Sequence, residues 1–244
     1  MEAPEKHRRL ENASADRLQR RAERREKRRK ERQKVNAALH EKNAAPIGED
    51  AAWGAAPFIR LDKNTRTHLS RESVRTGSTL VGRWLDMGQN IAPGLMKRAE
   101  IAAGLIEPGR IVADIGCGAM LLERTLPPNC TYIPVDCVPR DIRTLVVDLN
   151  KTALPLLNCD IVVGLGVLEY LADMPGFVGQ IRREAIFSYA PVESAPKHDR
   201  ASSGWFNSYT VSEMDNIFEA AGFRIKLRVK CPGRHLLWHL DFVG

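Results

Sequence analysis

Apolar positions along this chain follow two different periods, and the switches between them mark out its elements. Short runs rich in Val, Ile and Tyr at Arg110–Asp114, Thr131–Asp136, Thr144–Asp148, Asp160–Gly164 and Glu184–Tyr189 predict five strands. Helical spacing intervenes. Ile91, Leu95, Ala99, Ala102 and Ile106 share one predicted helix face, with Asn90 as the N-cap and Pro93 in the tolerated first turn. Ala119–Thr125 predicts a short helix. Val167, Leu171, Met174, Val178 and Ile181 keep the spacing, but Pro175 divides them into two short helices. Thr210–Gly222 opens on the capping box Thr210-x-x-Glu213, carries a Val211/Met214/Ile217/Phe218/Ala221 stripe and stops at Gly222. Phe223–Cys231 then alternates strictly, turns at Pro232-Gly233, and alternates again through Leu236, Trp238, Leu240 and Phe242, which predicts a β-hairpin. The fold class that follows is α/β: a Rossmann-like, mostly parallel sheet with helices on both faces and a C-terminal antiparallel hairpin.

Upstream the pattern fades. Residues 1–44 are polar nearly all round and predict a basic arm, helical or disordered, with Asp16–Arg20, Glu23–Lys27 and Glu26–Lys30 as favourable i,i+4 pairs. Residues 45–88 are Ala/Gly-rich at first and then mixed, and predict a cap or lid of short helices. Packing of Trp84 and Leu85 onto the core is the equal alternative for that segment. Residues 89–244 form the main domain.

Charge sharpens this division. The chain has 244 residues and a net charge of +7, with 37 Lys/Arg and 30 Asp/Glu. Residues 1–44 hold 15 of the basic and 8 of the acidic residues, which leaves 22 of each for the other 200. The basicity therefore belongs to the arm, which makes RNA or an anionic surface its candidate partner. The start MEAPEKHRRL predicts no secretory signal, and the longest apolar stretch, Ile161–Leu168, is too short to span a bilayer. Five cysteines without a CxxC pair predict reduced thiols in a cytoplasmic protein and no zinc site.

The candidate chemistry begins at VADIGCGAM, residues 112–120. A strand runs into Asp114, and Gly116 and Gly118 let the backbone turn tightly and approach a ligand. Asp136 closes the next strand about 20 residues on, where a nucleotide fold places its ribose-binding acid. The third glycine of a dinucleotide loop is absent, and no Gly-Lys-Ser/Thr phosphate loop occurs. An acid before the first glycine is awkward beside phosphates and suits a positively charged ligand.

VADIGCGAM, VDCV, VVDLN and CDIVVGLGVLEYL, in that order, resemble the class I S-adenosylmethionine-dependent methyltransferases over residues 90–244. The resemblance implies S-adenosylmethionine as cofactor. It implies that Asp114, Gly116 and Gly118 surround the methionine part, with Cys117 as the small residue between the glycines of that cofactor-binding turn, that Asp136 holds the ribose and that Cys137 lies near the adenine. Asp148 and Leu149 match the pair near the adenine amino group, and Gly164 and Leu165 would line the opening where donor meets acceptor. The chain departs from the pattern at Met120, where many members have a third glycine.

For the acceptor, the post-strand-five loop carries Tyr189, Glu193, His198, Arg200, Trp205, Asn207 and Tyr209, which suits a polar small molecule or glycan. Trp205 and Tyr209 pinning the loop to the core is the equal alternative. His198, Glu169 and Tyr170 are the candidate catalytic residues, His198 as a base for a hydroxyl acceptor. The absence of Asn/Asp-Pro-Pro-Tyr/Phe after strand four and of Pro-Cys after strands four and five argues against two classes of base methylation. Arg224, Lys226, Arg228 and Lys230 share one face of the first hairpin strand and read as protection of a sheet edge, with an anion track as the alternative. An RNA acceptor engaged by the arm and an inactive methyltransferase-fold binding module are the competing functional readings.

Overall fold

The computed structural model describes residues 58–87 and 92–244. The expected arm, residues 45–57, and the Asn90 cap with Ile91 lie outside the described residues. Among the described ones, a 3-10 turn at Phe58–Arg60 precedes helices α1 (Lys63–Thr76) and α2 (Val81–Met87). Then follow α3 (Pro93–Ala103), β1 (Ile111–Ile115), α4 (Leu121–Thr125), β2 (Thr131–Asp136), β3 (Leu145–Val146) and β4 (Ile161–Leu165). A 3-10 turn at Leu168–Tyr170 leads to α5 (Met174–Val178) and β5 (Glu184–Tyr189). The chain ends with α6 (Val211–Ala220), β6 (Phe223–Lys230) and β7 (Leu236–Phe242).

The seven strands form one sheet in the order β3-β2-β1-β4-β5-β7-β6. The first five are parallel, and β7 pairs antiparallel with both β5 and β6. The order reverses at β1, so the crevice at the carboxyl ends of β1 and β4 is where an open α/β sheet takes its ligand.

Central strands are buried on both faces, which is why they read as continuous apolar runs. Alternate side chains feed two separate cores. Val112, Ile161, Val163, Ile186 and Leu237 pack with Ala102 and Ala103 of α3 and Leu122 of α4. Ala113, Val162, Phe187, Trp238 and Leu240 pack with Phe177 of α5 and Met214 and Phe218 of α6. Full burial of side chains such as Phe187 and Phe218 contributes roughly 1.5–3 kcal/mol each.

Three local expectations shift. α3 begins at Pro93 on an N-cap, Ala92, that makes no side-chain bond, and Leu95 is exposed. β3 pairs over two residues only. Pro175 opens α5 in its first turn, where the missing N–H is harmless, and Asp173 caps it by accepting from Gly176 N–H. The capping box at Thr210 and Glu213 is present, and the hairpin carries an irregularity between Ile225 and Leu227.

Candidate active site

After β1 the chain turns on Gly116 (φ 69°) and Gly118 (φ 50°), and reaches Met120 at φ 53°, ψ 38°. Gly116 and Cys117 both donate their N–H to the Val135 carbonyl, at 2.8 and 3.1 Å, which folds the turn onto β2. A side chain at Gly116 is excluded twice, because a Cβ there would lie 2.9 Å from Val167 Cγ2 and the backbone is left-handed. The Gly116 backbone faces a cleft of about 550 Å³, part of it open to solvent.

The cleft is lined by the apolar residues Val135, Cys137, Val147, Leu149 and Leu171 and by the polar residues Asp136, Asp148 and Asn150. Thr79, Leu80, Arg83 and Trp84 of the upstream segment complete the lining with Tyr170, Gly204 and Phe206. Trp84 meets Tyr170 edge-on at 4.6 Å, and the Arg83 guanidinium lies 5.1 Å from the Trp84 ring. Asp148 Oδ1 accepts from the Thr79 hydroxyl at 2.5 Å and from Asn150 N–H at 3.1 Å. Its Oδ2 is buried with no hydrogen-bond partner, and Lys151 Nζ stands 3.6 Å away.

Of the sequence-predicted cofactor residues, the fold brings Gly116, Asp136, Cys137, Asp148 and Leu149 to this cleft. Asp114, Cys117, Gly118, Gly164 and Leu165 are not part of its wall. Asp114 is buried and accepts from the Tyr132 hydroxyl at 2.6 Å. Burial pushes its pKa up to about 7, against the Tyr132 hydrogen bond that lowers it. Burial also raises the Cys117 and Cys137 thiols, with the neighbouring acids adding to it. Gly164 is a packing glycine: a Cβ there would come within 2.9 Å of Phe187 Cδ1 and 3.0 Å of Val167 Cγ1.

Asp136 is the most heavily engaged acid. It accepts from Gly118 N–H at 2.9 Å, Val138 N–H at 3.2 Å and Arg140 Nε at 3.2 Å. The same Arg140 donates through Nη1 to the Trp84 carbonyl at 2.8 Å.

The catalytic candidates separate. Tyr170 is in the cleft wall, and burial raises its pKa. Glu169 is fully buried beside it, accepting from Ala190 N–H at 2.8 Å and facing His235 Nε2 at 3.2 Å. Burial acts to raise its pKa, but the His235 contact and other favourable partners outweigh that and hold it low. His198 is outside the cleft wall, bonded to the Ser203 hydroxyl at 2.9 Å and set against Trp205 at 4.9 Å. Burial, then Arg234 and Arg200, lower its pKa. His235 was missed as a candidate, because nothing in the local sequence ties it to Glu169, 66 positions earlier.

The post-β5 loop is held by its own polar side chains. Arg200 donates to the Ala190 carbonyl, the Asn207 carbonyl and the Tyr189 hydroxyl, at 2.8, 2.7 and 2.8 Å. The Tyr189 hydroxyl donates to Asn207 Oδ1 at 2.7 Å, and Asn207 Nδ2 donates to the Leu168 carbonyl at 2.8 Å. Glu193 accepts from Val211 N–H at the start of α6. On the hairpin, Arg224 pairs with Asp241, Lys226 with Glu184 and Arg228 with Asp215, so these cations serve an ion-paired edge strand. Among the described residues no His/Cys/Asp/Glu group could hold a metal ion, and no helix is long and apolar enough to cross a membrane.

No family model and no curated protein matches the chain. Solved structures do. A candidate O-methyltransferase of Nostoc punctiforme aligns at TM-score 0.54 and 14% identity, over 75% of this chain and 70% of that one. The mitomycin 7-O-methyltransferase MmcR aligns at 0.51 and 16%, over 76% and 70%. A candidate methyltransferase of Haloferax volcanii, solved with the Trm112 methyltransferase activator, aligns at 0.50 and 15%, over 62% and 89%. The chain has the class I S-adenosylmethionine-dependent methyltransferase fold.

Proposed function

We propose that the protein is a cytoplasmic S-adenosylmethionine-dependent methyltransferase acting on a polar small-molecule or glycan acceptor. The observation that carries this reading is the cleft at the carboxyl ends of β1, β2 and β3. It joins bare backbone at Gly116, apolar lining from Val135 and Leu149, and a buried oxygen on Asp148 that has no hydrogen-bond partner. These features fit an adenosine group: Cys137 and Leu149 would flank the base, and Asp148 Oδ2 would accept from its amino group. When bound, the cofactor supplies an electrophilic methyl on a sulfonium. The chain's own contribution is positional. Tyr170 and Phe206 line the cleft, and the Thr79–Asp148–Asn150 contacts hold Thr79 against it.

For a hydroxyl acceptor, the Glu169–His235 pair is a second candidate beside His198 to take the proton. Glu169 follows β4, and His235 precedes β7 at the same end of the sheet. A buried carboxylate that orients an imidazole favours its protonated form during the reaction. Five unpaired thiols fit a reducing compartment.

One observation favours a second reading, an inactive methyltransferase-fold binding module: Asp136 is already saturated by Gly118, Val138 and Arg140. A single experiment separates the readings. The full chain and a chain lacking residues 1–44 are incubated with methyl-labelled S-adenosylmethionine and panels of small molecules, glycans and RNA. Transfer to a small molecule or glycan that survives the deletion and is insensitive to salt supports the proposal. Transfer to RNA with a steep salt dependence that vanishes on deletion moves the acceptor to RNA. No transfer to any panel moves the protein to the binding-module reading.

A further inference from the structure

The acid that the cleft offers to a ribose has no acceptor capacity left. A carboxylate has about four lone-pair sites. On Asp136 they meet two backbone N–H groups, Arg140 Nε at 3.2 Å and Arg140 Nη2 at 3.4 Å. The pair is enclosed, with the Asp136 side chain 5% exposed and that of Arg140 10%. The two backbone donors are fixed by the glycine turn and by the chain leaving β2. The guanidinium is the charged donor and stands on a long flexible stem, beside the weaker thiol donors of Cys117 and Cys137. Through Nη1 it also holds the Trp84 carbonyl in α2, so one side chain ties the acid at the end of β2 to the helix that closes the cleft.

We propose that Arg140 is a latch on the nucleoside site: the vicinal hydroxyls of an adenosine ligand replace its guanidinium on Asp136, and α2 is released at Trp84 in the same step. The inference rests on reading the cleft as a nucleoside site and goes beyond it by naming the residue that admits the ligand. The exchange is costly, since neutral hydroxyls take over from an enclosed ion pair. A latch closed in about nine of ten molecules lowers apparent affinity about tenfold. Trp84 reports the second half of the event, because its ring packs on Tyr170 and Arg83 while its carbonyl is the Arg140 anchor.

The test uses the full chain with S-adenosylhomocysteine, followed by titration calorimetry and tryptophan emission. Arg140→Met is expected to bind about tenfold more tightly than wild type. Wild type is expected to change its emission on binding, a change lost in Trp84→Phe and already present in unliganded Arg140→Met. Removing one member of an enclosed ion pair also destabilises the fold. Arg140→Lys guards against that loss: its ammonium keeps the charge but cannot hold Asp136 and the Trp84 carbonyl together, so an intermediate gain is expected. Binding by a folded variant that equals or falls below wild type overturns the latch. So does wild-type binding with no change at Trp84. If wild type and variants all fail to bind, the nucleoside reading itself falls, and the latch with it.

Discussion

Asp114 and Met120 bracket the glycine turn, and each carries a measurable cost. The Asp114 carboxyl is buried under the Tyr132 hydroxyl, and its pKa rises from 3.8 to about 7. A folded-state pKa above the unfolded one means that the native state binds the extra proton. This contribution to stability is therefore complete below pH about 4 and is lost as pH rises through about 7. Asp114→Asn keeps an acceptor for Tyr132 and removes the titration. Urea unfolding from pH 4 to 8 should show a smaller fall in stability for the variant than for wild type; parallel curves would contradict the assignment. Met120 sits left-handed without being glycine, a strain of roughly 1–2 kcal/mol. Met120→Gly is expected to match or exceed wild-type stability, and Gly116→Ala to lose about 2 kcal/mol or more, since its Cβ would meet Val167. Residue chemistry at this turn was only partly legible. The sequence exposes the acids and glycines, but not that Asp114 turns to Tyr132 or that Arg140 takes Asp136. Those facts depend on side-chain direction in three dimensions.

At the scale of elements, legibility tracks how local the determinants are. β2 and β5 form over the expected residues because their β-branched and aromatic runs need no distant information. α6 starts where Thr210 and Glu213 cap each other. β7 is buried on both faces because Leu237 packs into one core and Trp238 and Leu240 into the other, whereas its alternation speaks for one face alone. α1 has readable ends, an Asp62 cap and a Gly77 stop at φ 66°, but only a thin apolar face, so it reads merely as part of a cap. The post-β5 loop is the clearest case of a polar segment that looks like a binding surface and acts as a brace. Arg200 makes three hydrogen bonds there and stacks 4.6 Å from Trp205. Arg200→Gln should leave the sheet intact yet speed limited proteolysis within residues 191–208 severalfold. An unchanged cleavage rate would show that the brace lies elsewhere.

Among the described residues, the sheet, its two cores and the cleft form one arrangement. β1 lies at the reversal of strand order, the crevice opens at its carboxyl end, and residues 79–84 wall that crevice through Thr79–Asp148 and Arg140–Trp84. The fold was legible because five strand runs and a hairpin leave few topologies to consider. The acceptor was not, because the polar residues nearest the expected opening are engaged with one another. The central claim is that the cleft holds the methyl donor, and titration calorimetry of the full chain with S-adenosylmethionine tests it most directly. The account predicts saturable one-to-one binding that Asp148→Ala weakens at least tenfold. No detectable heat at any concentration up to the millimolar range, with the protein folded, would contradict it.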